Sequence, residues 1–404
     1  MAPALPRRAA LTGAAAAARP RLETPPLALY VHFPWCVRKC PYCDFNSYAL
    51  SGELAAAAYV ARLERDLAAQ APAVAGRSVQ SVFFGGGTPS LFPAEDIAQV
   101  LGALRRHLTL DASAEITLEA NPGTIERGAF SEYRAAGVTR VSLGAQSFDA
   151  QRLAALGRIH SPEETRRAAA ELHAAGLSNF NLDLMYALPG QELPEALADV
   201  RAALALAPAH VSHYQLTLEP GTVFAARPPP LPDEDAAAQM LSECALLLEA
   251  AGFARYEVSA YAPAGARCRH NLNYWRFGDY LGVGAGAHGK LTEAHAGRIV
   301  RTTQPREPRR YLAAAGDSAT RHPVPSEELP FEFMLNALRL CEGFEAALFS
   351  ERTGLPFAAI AAPLMQAMER GLVLEHAGSY RPSALGMRFL NEVLLLFMAQ
   401  KDCK

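Results

Sequence analysis

The chain has 404 residues, of which half are hydrophobic and 20% are charged, and its formal net charge is −3 at pH 7. This length is enough to bury a full core and to form two or three domains, and the composition is that of an ordinary soluble globular protein. The near-neutral balance of charge argues against a nucleic-acid-binding protein, which would carry a strongly basic surface.

The first 26 residues predict a leader that takes no part in the fold. They are basic, rich in alanine and free of acidic residues through Arg21, which resembles a transit peptide, and the pair Arg7-Arg8 resembles part of a twin-arginine signal. An unstructured leader in an alanine-rich chain is the simpler interpretation and the one favoured here. No stretch approaches the ~18 apolar residues of a membrane-spanning helix, so a cytoplasmic protein without such a helix is expected.

From Leu27 onward, strand-like runs alternate with helix-like segments. The runs end in polar or glycine-rich turns and read LALYVHF, SVFFGGG, EITLEANPG, RVSLGAQSF, NFNLDLMYALPG and HVSHYQLTLEPGT. Amphipathic stretches lie between them, and one of these, SPEETRRAAAELHAAG, opens with the S-x-x-E pattern of a helix start. Such alternation predicts an α/β fold with a parallel sheet. Six units are two short of a closed eightfold barrel, so residues 27–225 predict a partial (βα)6 TIM-like barrel.

Residue types that can bind a ligand or a metal recur at or just past the carboxyl ends of these runs. They are the cysteines after the first run, then Gly85-Gly86-Gly87, Glu119, Gln146 and Asp183. In parallel α/β folds, binding sites form at that edge of the sheet. The sequence therefore predicts that these residues converge on one rim.

Beyond Ala226 the pattern changes twice. Residues 226–326 begin with the connection ARPPPLPDED, continue with a helix over 236–251, and then contain the aromatic and glycine-rich segment YWRFGDYLGVGAGAHGK, which predicts a small α+β region. Residues 327–404 contain three amphipathic segments, two short strands around Ala377-Gly378 and a last helix, which predicts a winged-helix-like domain. The domain lacks the basic cluster of DNA-binding versions, so we expect an interaction or lid domain.

Three of the seven cysteines, Cys36, Cys40 and Cys43, lie in one loop with the spacing C-x3-C-x2-C. A secreted disulfide-stapled fold would spread its cysteines out, so this crowding favours a reducing compartment and a metal role. A structural zinc site would need a fourth ligand, for which a distant histidine or Cys268 is available. A four-iron cluster normally takes four cysteines, so three would leave one iron with an open coordination position.

This loop resembles the cysteine motif of the radical S-adenosylmethionine (SAM) enzymes, including the aromatic Tyr42 before the last cysteine. The resemblance implies a [4Fe-4S] cluster held by Cys36, Cys40 and Cys43, whose open iron chelates SAM. In that superfamily, reduction of the cluster cleaves SAM to methionine and a 5′-deoxyadenosyl radical. GGGTPS, residues 85–90, is similar to the superfamily's glycine motif, whose backbone contacts the SAM amino group. By the same resemblance, the residues that serve SAM are Tyr30, Tyr42, Gly86, Gly87, Thr88, Glu119, Gln146, Arg158 and Asp183. Taken singly, each has a structural explanation, such as strand-end capping for a carboxylate or a surface ion pair for Arg158.

From Leu27 the chain resembles the oxygen-independent coproporphyrinogen III oxidase family, which has two branches. The oxidases typically carry a fourth cysteine two residues after the third, where this chain has Asp44-Phe45. The haem-chaperone (HemW-type) branch has C-x3-C-x2-C-D-F and a later H-N-x-x-Y-W motif, which this chain matches with HNLNYW at residues 270–275. On both counts the chain resembles the chaperone branch.

The segment around HNLNYW also has the residue types that a haem site requires. Haem is a flat apolar disc with two carboxylates and an iron that accepts imidazole or thiolate. Aromatic surface is available from Tyr274, Trp275, Phe277 and Tyr280, and close backbone approach from Gly282, Gly284 and Gly286. His270 is the first candidate for the axial ligand, with Cys268 and His288 as alternatives, and Arg269 or Arg276 could pair with propionates. A buried structural histidine in an aromatic core is the competing interpretation.

Two functions follow from the resemblance. The first is a chaperone that carries haem as cargo to acceptor haemoproteins, such as respiratory ones, with a SAM-binding cluster whose turnover is left open. The second is radical decarboxylation of coproporphyrinogen III to protoporphyrinogen IX, and a third, weaker hypothesis is another radical SAM reaction such as methyl transfer. The missing fourth cysteine and HNLNYW favour the first. Acceptor identity, covalent attachment of haem, a cluster-dependent dimer and peripheral membrane contact are left open.

Overall fold

The computed structural model describes residues 20–123 and 130–398. Its strands are β1 (Leu27–Phe33), β2 (Trp35–Cys36), β3 (Tyr48–Ala49), β4 (Ser78–Gly86), β5 (Thr109–Ala120), β6 (Arg140–Gln146), β7 (Phe180–Tyr186), β8 (His210–Gln215), β9 (Ala254–Arg255), β10 (Ala260–Ala262), β11 (Asp279–Val283), β12 (His288–Glu293), β13 (Arg298–Thr303), β14 (Thr320–Pro323), β15 (Phe344–Glu345), β16 (Val373–His376) and β17 (Ser379–Pro382). Its helices are α1 (Ala56–Gln70), α2 (Ala94–His107), α3 (Phe130–Ala136), α4 (Ala150–Ala155), α5 (Pro162–Ala174), α6 (Leu193–Ala205), α7 (Val223–Ala226), α8 (Glu234–Ala250), α9 (Arg269–Trp275), α10 (Pro308–Ala313), α11 (Leu329–Ala337), α12 (Ala346–Thr353), α13 (Ala358–Glu369), α14 (Ala384–Arg388) and α15 (Leu390–Leu395).

The six predicted barrel strands are present and lie side by side. Strands β1, β4, β5, β6, β7 and β8 are parallel neighbours in chain order, as consecutive βα units produce. All residues of β1 except Tyr30 are buried, which is typical of a parallel strand covered on both faces. The prediction of six consecutive βα units that form one parallel sheet is confirmed.

The helices that cover this sheet follow from local sequence. In α1, Tyr59, Leu63 and Leu67 recur every four residues and are fully buried, so one stripe of the helix faces the sheet. At the start of α5, the Ser161 hydroxyl accepts a hydrogen bond from the Glu164 amide, and the Glu164 carboxylate accepts one from the Ser161 amide. This is the capping box that the S-x-x-E pattern predicts.

A seventh parallel strand, β11, pairs with β1 on the side opposite to β4. Strands β12, β13 and β14 continue from it as an antiparallel meander, and β10 and β9 extend the other end beyond β8. The glycine-rich segment that the sequence assigned to a small α+β region therefore extends the barrel sheet. This pairing brings the region after HNLNYW next to the strand that leads into the cysteine loop.

The C-terminal part packs around its own apolar core, to which α11, α12 and α13 contribute Phe333, Phe349 and Ile360. Strands β15, β17 and β16 form a small sheet, and β16 and β17 make the hairpin expected around Ala377-Gly378. Leu22 is buried in this core, although the leader was expected to extend to residue 26. That boundary is a few residues too late, because the alanine-rich composition obscured one buried leucine. Residues 1–19 of the expected leader and the last six residues lie outside the described ranges.

Candidate cluster and ligand site

The cysteine loop begins where β1 ends. Cys36 lies in β2, which pairs with β3 and so closes the base of the loop, and the Cys43 amide donates to the Cys40 carbonyl at 3.2 Å. Lys39 donates to the carbonyl oxygens of Phe45 and Ser47, each at 3.0 Å. These bonds hold the three cysteines in one folded loop.

The three thiols suit an iron–sulfur cluster. All three are free and partly exposed, and burial raises the pKa of Cys36 and Cys43 while hydrogen bonds from Thr88 and Ser47 oppose that rise. Within the described ranges, no three His, Cys, Asp or Glu side chains are close enough to share one metal ion. Cysteines that bind a cluster each hold a different iron, so a wider spacing than in a zinc site is expected.

The glycine motif packs directly on this loop. The Gly87 amide donates to the Phe33 carbonyl at 2.6 Å, and the Thr88 amide donates to the Trp35 carbonyl at 2.8 Å. A Cβ on Gly87 would lie 2.6 Å from the Trp35 oxygen, so only glycine fits. The motif thus fixes the backbone next to Cys36.

Glu119, at the end of β5, faces the same region. Its carboxylate accepts a hydrogen bond from the Gly86 amide at 3.0 Å. Burial, and then the nearby charge of Asp183, raises the pKa of Glu119 to about 8, against the effect of that bond. The side chain is therefore protonated at neutral pH and can donate as well as accept a hydrogen bond.

Arg158 and Tyr42 lie beside the second cysteine. The Arg158 guanidinium donates to the Cys40 sulfur at 3.7 Å and to the Gly144 carbonyl at 2.9 Å, while its buried Nε has no partner among the described residues. Tyr42 packs against Phe224, whose amide donates to the loop at Pro41. An unpartnered buried donor beside the thiols is consistent with a bound anionic group.

The last two predicted SAM residues occupy different positions on their strands. Gln146 ends β6 with a left-handed backbone (φ 66°), a conformation that costs a non-glycine residue energy and is frequent at functional sites. Asp183 is the fourth residue of the seven in β7, so its expected position at the strand end was wrong. Its carboxylate accepts from Ser142 and Asn181 inside the barrel and reaches Glu119 electrostatically.

One cavity of about 470 Å³ is lined by three of the nine residues predicted to serve SAM and by four residues of the predicted haem segment, while the three cysteines are not on its wall. Strands β1, β4 and β5 contribute Tyr30, Gly86 and Glu119 to its wall. Helix α9, strand β11, which pairs with β1, and the residues around β12 contribute Tyr274, Tyr280, Gly286 and His288. Phe45, which follows Cys43 by two residues, also lines it and is 57% exposed.

Three cavity residues were missed from the sequence: His32, Asn46 and Arg306. His32 Nε2 lies 2.9 Å from the Asn46 carbonyl and must donate to it, so Nδ1 accepts from Tyr30 at 3.0 Å. Burial lowers the pKa of His32 to about 4, which keeps the ring neutral. Tyr30 and His32 are two apart in a strand and share a face, so period-two spacing could have found His32. No local signal marks Arg306.

His270 does not line the cavity. It is buried, and its two ring nitrogens lie 3.0 Å from the Ser81 hydroxyl and 3.1 Å from the Tyr274 hydroxyl. Burial, and then Arg140, lowers its pKa to about 3. Cys268 is likewise buried, beside Glu115. Of the three candidate axial ligands, His288 is the one on the cavity wall, and it is exposed.

Several residues expected to contact haem have other partners. Phe277 is buried in the C-terminal core against Phe333, and Trp275 lies under the Arg339 guanidinium at 4.3 Å, so the expectation was wrong for Phe277. Phe277 lies in the turn after α9 with a left-handed backbone (φ 55°), and its amide donates to the Tyr274 carbonyl at 2.9 Å. Gly282 and Gly284 approach the backbone of β12 and β1 closely, which leaves Gly286 on the wall. Two expected propionate partners are also engaged: Arg269 donates to the Ser113 carbonyl and Arg276 pairs with Glu342.

Within the described ranges, no helix is both long enough and apolar enough to span a membrane.

Comparison with known proteins first identifies the class. The radical SAM superfamily matches residues 30–203 and the HemN C-terminal domain matches residues 324–389. The solved structure of coproporphyrinogen III oxidase (HemN) from Escherichia coli, a radical SAM enzyme, superposes with a TM-score of 0.78. The match covers 94% of this chain and 92% of that one at 21% identity, which establishes a shared fold. Fold and cysteine loop thus define a radical SAM protein.

Sequence relatives identify the family. The haem chaperone HemW of Escherichia coli is 48% identical over 379 residues, which are 94% of this chain and all of that protein. HemW of Haemophilus influenzae is 46% identical over 383 residues, again 94% of this chain and all of the relative. A mitochondrial radical S-adenosyl methionine domain-containing protein 1 of Bos taurus is 36% identical over 92% of this chain and 87% of its own length. The chain therefore belongs to the HemW family.

Proposed function

We propose that this protein is a haem chaperone, which binds haem in the 470 Å³ cavity and delivers it to acceptor haemoproteins. The observation that carries this proposal is that one cavity is lined both by three residues expected to serve SAM, on β1, β4 and β5, and by four residues of the segment expected to serve haem, which reaches the sheet through β11. The 48% identity to a protein named as a haem chaperone supports the same function over the oxidase alternative.

On the SAM side, Cys36, Cys40 and Cys43 would hold a [4Fe-4S] cluster whose open iron supplies a binding position for SAM. The protonated Glu119 and the backbone of the glycine motif would bind the remainder of that ligand. Arg158, beside Cys40, would add a positive charge next to the cluster.

On the haem side, Tyr274 and Tyr280 offer apolar aromatic surface; their ring centroids are 4.5 Å apart and their planes nearly perpendicular, so a flat ligand would meet the face of one ring and the edge of the other. His288 is the proposed axial ligand, since its Nδ1 lies 3.3 Å from the Thr303 hydroxyl and its Nε2 has no partner among the described residues. His270 orients Tyr274 through a hydrogen bond and so acts on the cavity indirectly. The cytoplasmic location, the acceptor proteins and a cluster-dependent dimer stay predictions.

Titration with haem and with metal-free protoporphyrin IX tests this assignment. We expect His288→Ala to shift the absorption spectrum of bound haem and to weaken haem binding, with little effect on the metal-free ring. His270→Ala should weaken both ligands alike, because it loosens Tyr274 and removes no iron ligand. Iron-specific loss in His270→Ala would reassign the ligand, and a wild-type protein that binds no haem would refute the function.

Incubation of the cluster-loaded protein with SAM, reductant and coproporphyrinogen III, without oxygen, tests the alternative. An active oxygen-independent oxidase serves as the control. We expect protoporphyrinogen IX from the control alone, and a comparable rate from this protein would make it an oxidase.

A further inference from the structure

Arg306 is a charged residue of the cavity wall that the haem assignment above does not use. Its side chain is exposed and forms no ion pair within residues 20–123 and 130–398. Two other arginines near it in sequence have carboxylate partners, since Arg301 pairs with Glu332 and Arg310 lies 4.0 Å from Glu307. The Arg306 guanidinium is therefore available to a ligand.

The backbone of Arg306 is fixed to the cysteine loop. Its carbonyl accepts a hydrogen bond from the Asn46 side chain at 2.9 Å and one from the Tyr48 hydroxyl at 3.3 Å. Asn46 also donates to the Ala285 carbonyl at 3.0 Å, and Asn46 follows Cys43 by three residues. The exposed side chain of Arg306 thus extends from a backbone that is fixed beside the cavity.

The charges on the cavity wall favour an anionic ligand at this point. Glu119 is the one carboxylate on the wall and stays protonated below a pH of about 8. Burial lowers the pKa of His32 to about 4, which keeps its ring neutral. Apart from His288, the proposed iron ligand, Arg306 is accordingly the one wall residue of the described ranges with an uncompensated charge at neutral pH, and that charge is positive.

We propose that Arg306 binds a propionate of the haem and thereby selects carboxylated porphyrins, an inference that depends on haem occupying this cavity. A guanidinium can hold a carboxylate through two parallel hydrogen bonds. The side chain shares the wall with Tyr274, Tyr280 and His288, so one haem can contact the aromatic rings, the axial nitrogen and Arg306. Arg269 and Arg276, the candidates from the sequence, lie elsewhere with their own partners.

Esterification of the ligand isolates this contact. Haem and haem dimethyl ester, whose propionates carry no charge, are titrated into wild type, Arg306→Gln and Arg306→Lys. A charge-assisted hydrogen bond contributes ~1.5–3 kcal/mol, so Arg306→Gln should weaken haem binding about tenfold or more. Ester binding should not change, and Arg306→Lys should recover part of the loss because it retains the charge.

Arg309→Gln is the matched control, because Arg309 is exposed, close in sequence and absent from the cavity wall. It should bind both ligands as wild type does. Equal weakening of haem and ester in Arg306→Gln would overturn the proposal, as would unchanged haem binding. Weaker SAM binding with unchanged haem binding would also overturn it and assign Arg306 to SAM. A wild type that binds neither porphyrin would refute the haem function instead, so the two failures are distinguishable.

Discussion

Replacing Gly87 by alanine tests whether the glycine motif and the cysteine loop form one packed unit. The new Cβ would lie 2.6 Å from the Trp35 oxygen, which is 0.8 Å short of the 3.4 Å at which ordinary contact begins, and 2.9 Å from the Phe33 oxygen. Both neighbours are backbone atoms just before Cys36, so relief requires the strand that carries this ligand to move.

The cost can be estimated from two effects. Overpacking a tight site costs ~1–3 kcal/mol. Weakening the bond from the Gly87 amide to the Phe33 carbonyl adds about 1 kcal/mol. We therefore expect Gly87→Ala to lose about 2–4 kcal/mol in the free energy of unfolding and to incorporate less iron.

Gly102→Ala is the control for this experiment. Gly102 lies in α2, where the nearest atom to a new Cβ is the end of the Arg106 side chain at 3.4 Å. Alanine in a helix interior is better than glycine by ~0.5–1 kcal/mol, so this variant should be more stable than wild type. Denaturant unfolding of the cluster-free protein and iron content after reconstitution measure both variants. A Gly87→Ala protein with wild-type stability and iron content would refute the packing argument.

Three further predictions concern the cluster, the acid on the cavity wall and the N-terminal anchor. Cys40→Ala should abolish the cluster absorption after reconstitution, whereas Cys341→Ala, which removes another partly buried thiol, should leave it intact; a normal cluster in Cys40→Ala would refute the ligand assignment. The pKa of Glu119 is about 8 in the folded protein but near its ordinary value of 4.5 in the unfolded chain. Between these two pH values the unfolded chain has released the proton and the folded protein has not, so the free energy of unfolding falls as pH rises. Glu119→Gln removes this effect, so its stability advantage over wild type should grow from pH 4.5 to pH 8 in denaturant unfolding of the cluster-free protein, and a constant difference would contradict the raised pKa. Leu22→Ala should lower the free energy of unfolding by about 2 kcal/mol because Leu22 is buried in the C-terminal core, and an unchanged value would mean that the segment does not anchor there.

The parts of the fold that could be predicted from the sequence are those with local signals. Runs such as LALYVHF and SVFFGGG have the apolar character of buried parallel strands, and Ser161 with Glu164 marks a helix start. The order of these strands in the sheet could then be predicted from their order in the sequence, because consecutive βα units place their strands side by side. The convergence of the cysteine loop, Gly86 and Glu119 depended on the same rule.

What could not be predicted depends on pairing between distant segments. The sequence does not reveal that β11 pairs with β1, so the residues expected to contact haem and those expected to contact SAM could not be assigned to one cavity. Arg306 reaches that cavity through bonds from Asn46, 260 residues earlier in the chain. His270 begins the most conspicuous motif of the sequence. Its side chain is nevertheless buried against Ser81 of β4 and does not line the cavity, which no local pattern indicates.

The single cavity has a thermodynamic consequence for loading and release. If, as proposed, SAM binds at Gly86 and Glu119 and haem at Tyr274 and His288, the two ligands are neighbours in one cavity. Whatever factor SAM applies to the dissociation constant of haem, haem must apply to that of SAM, because the coupling free energy between two ligands is reciprocal. If SAM weakens haem binding, then a haem-loaded protein binds SAM more weakly by the same factor, and the concentration of each ligand relative to its dissociation constant decides which of the two is bound.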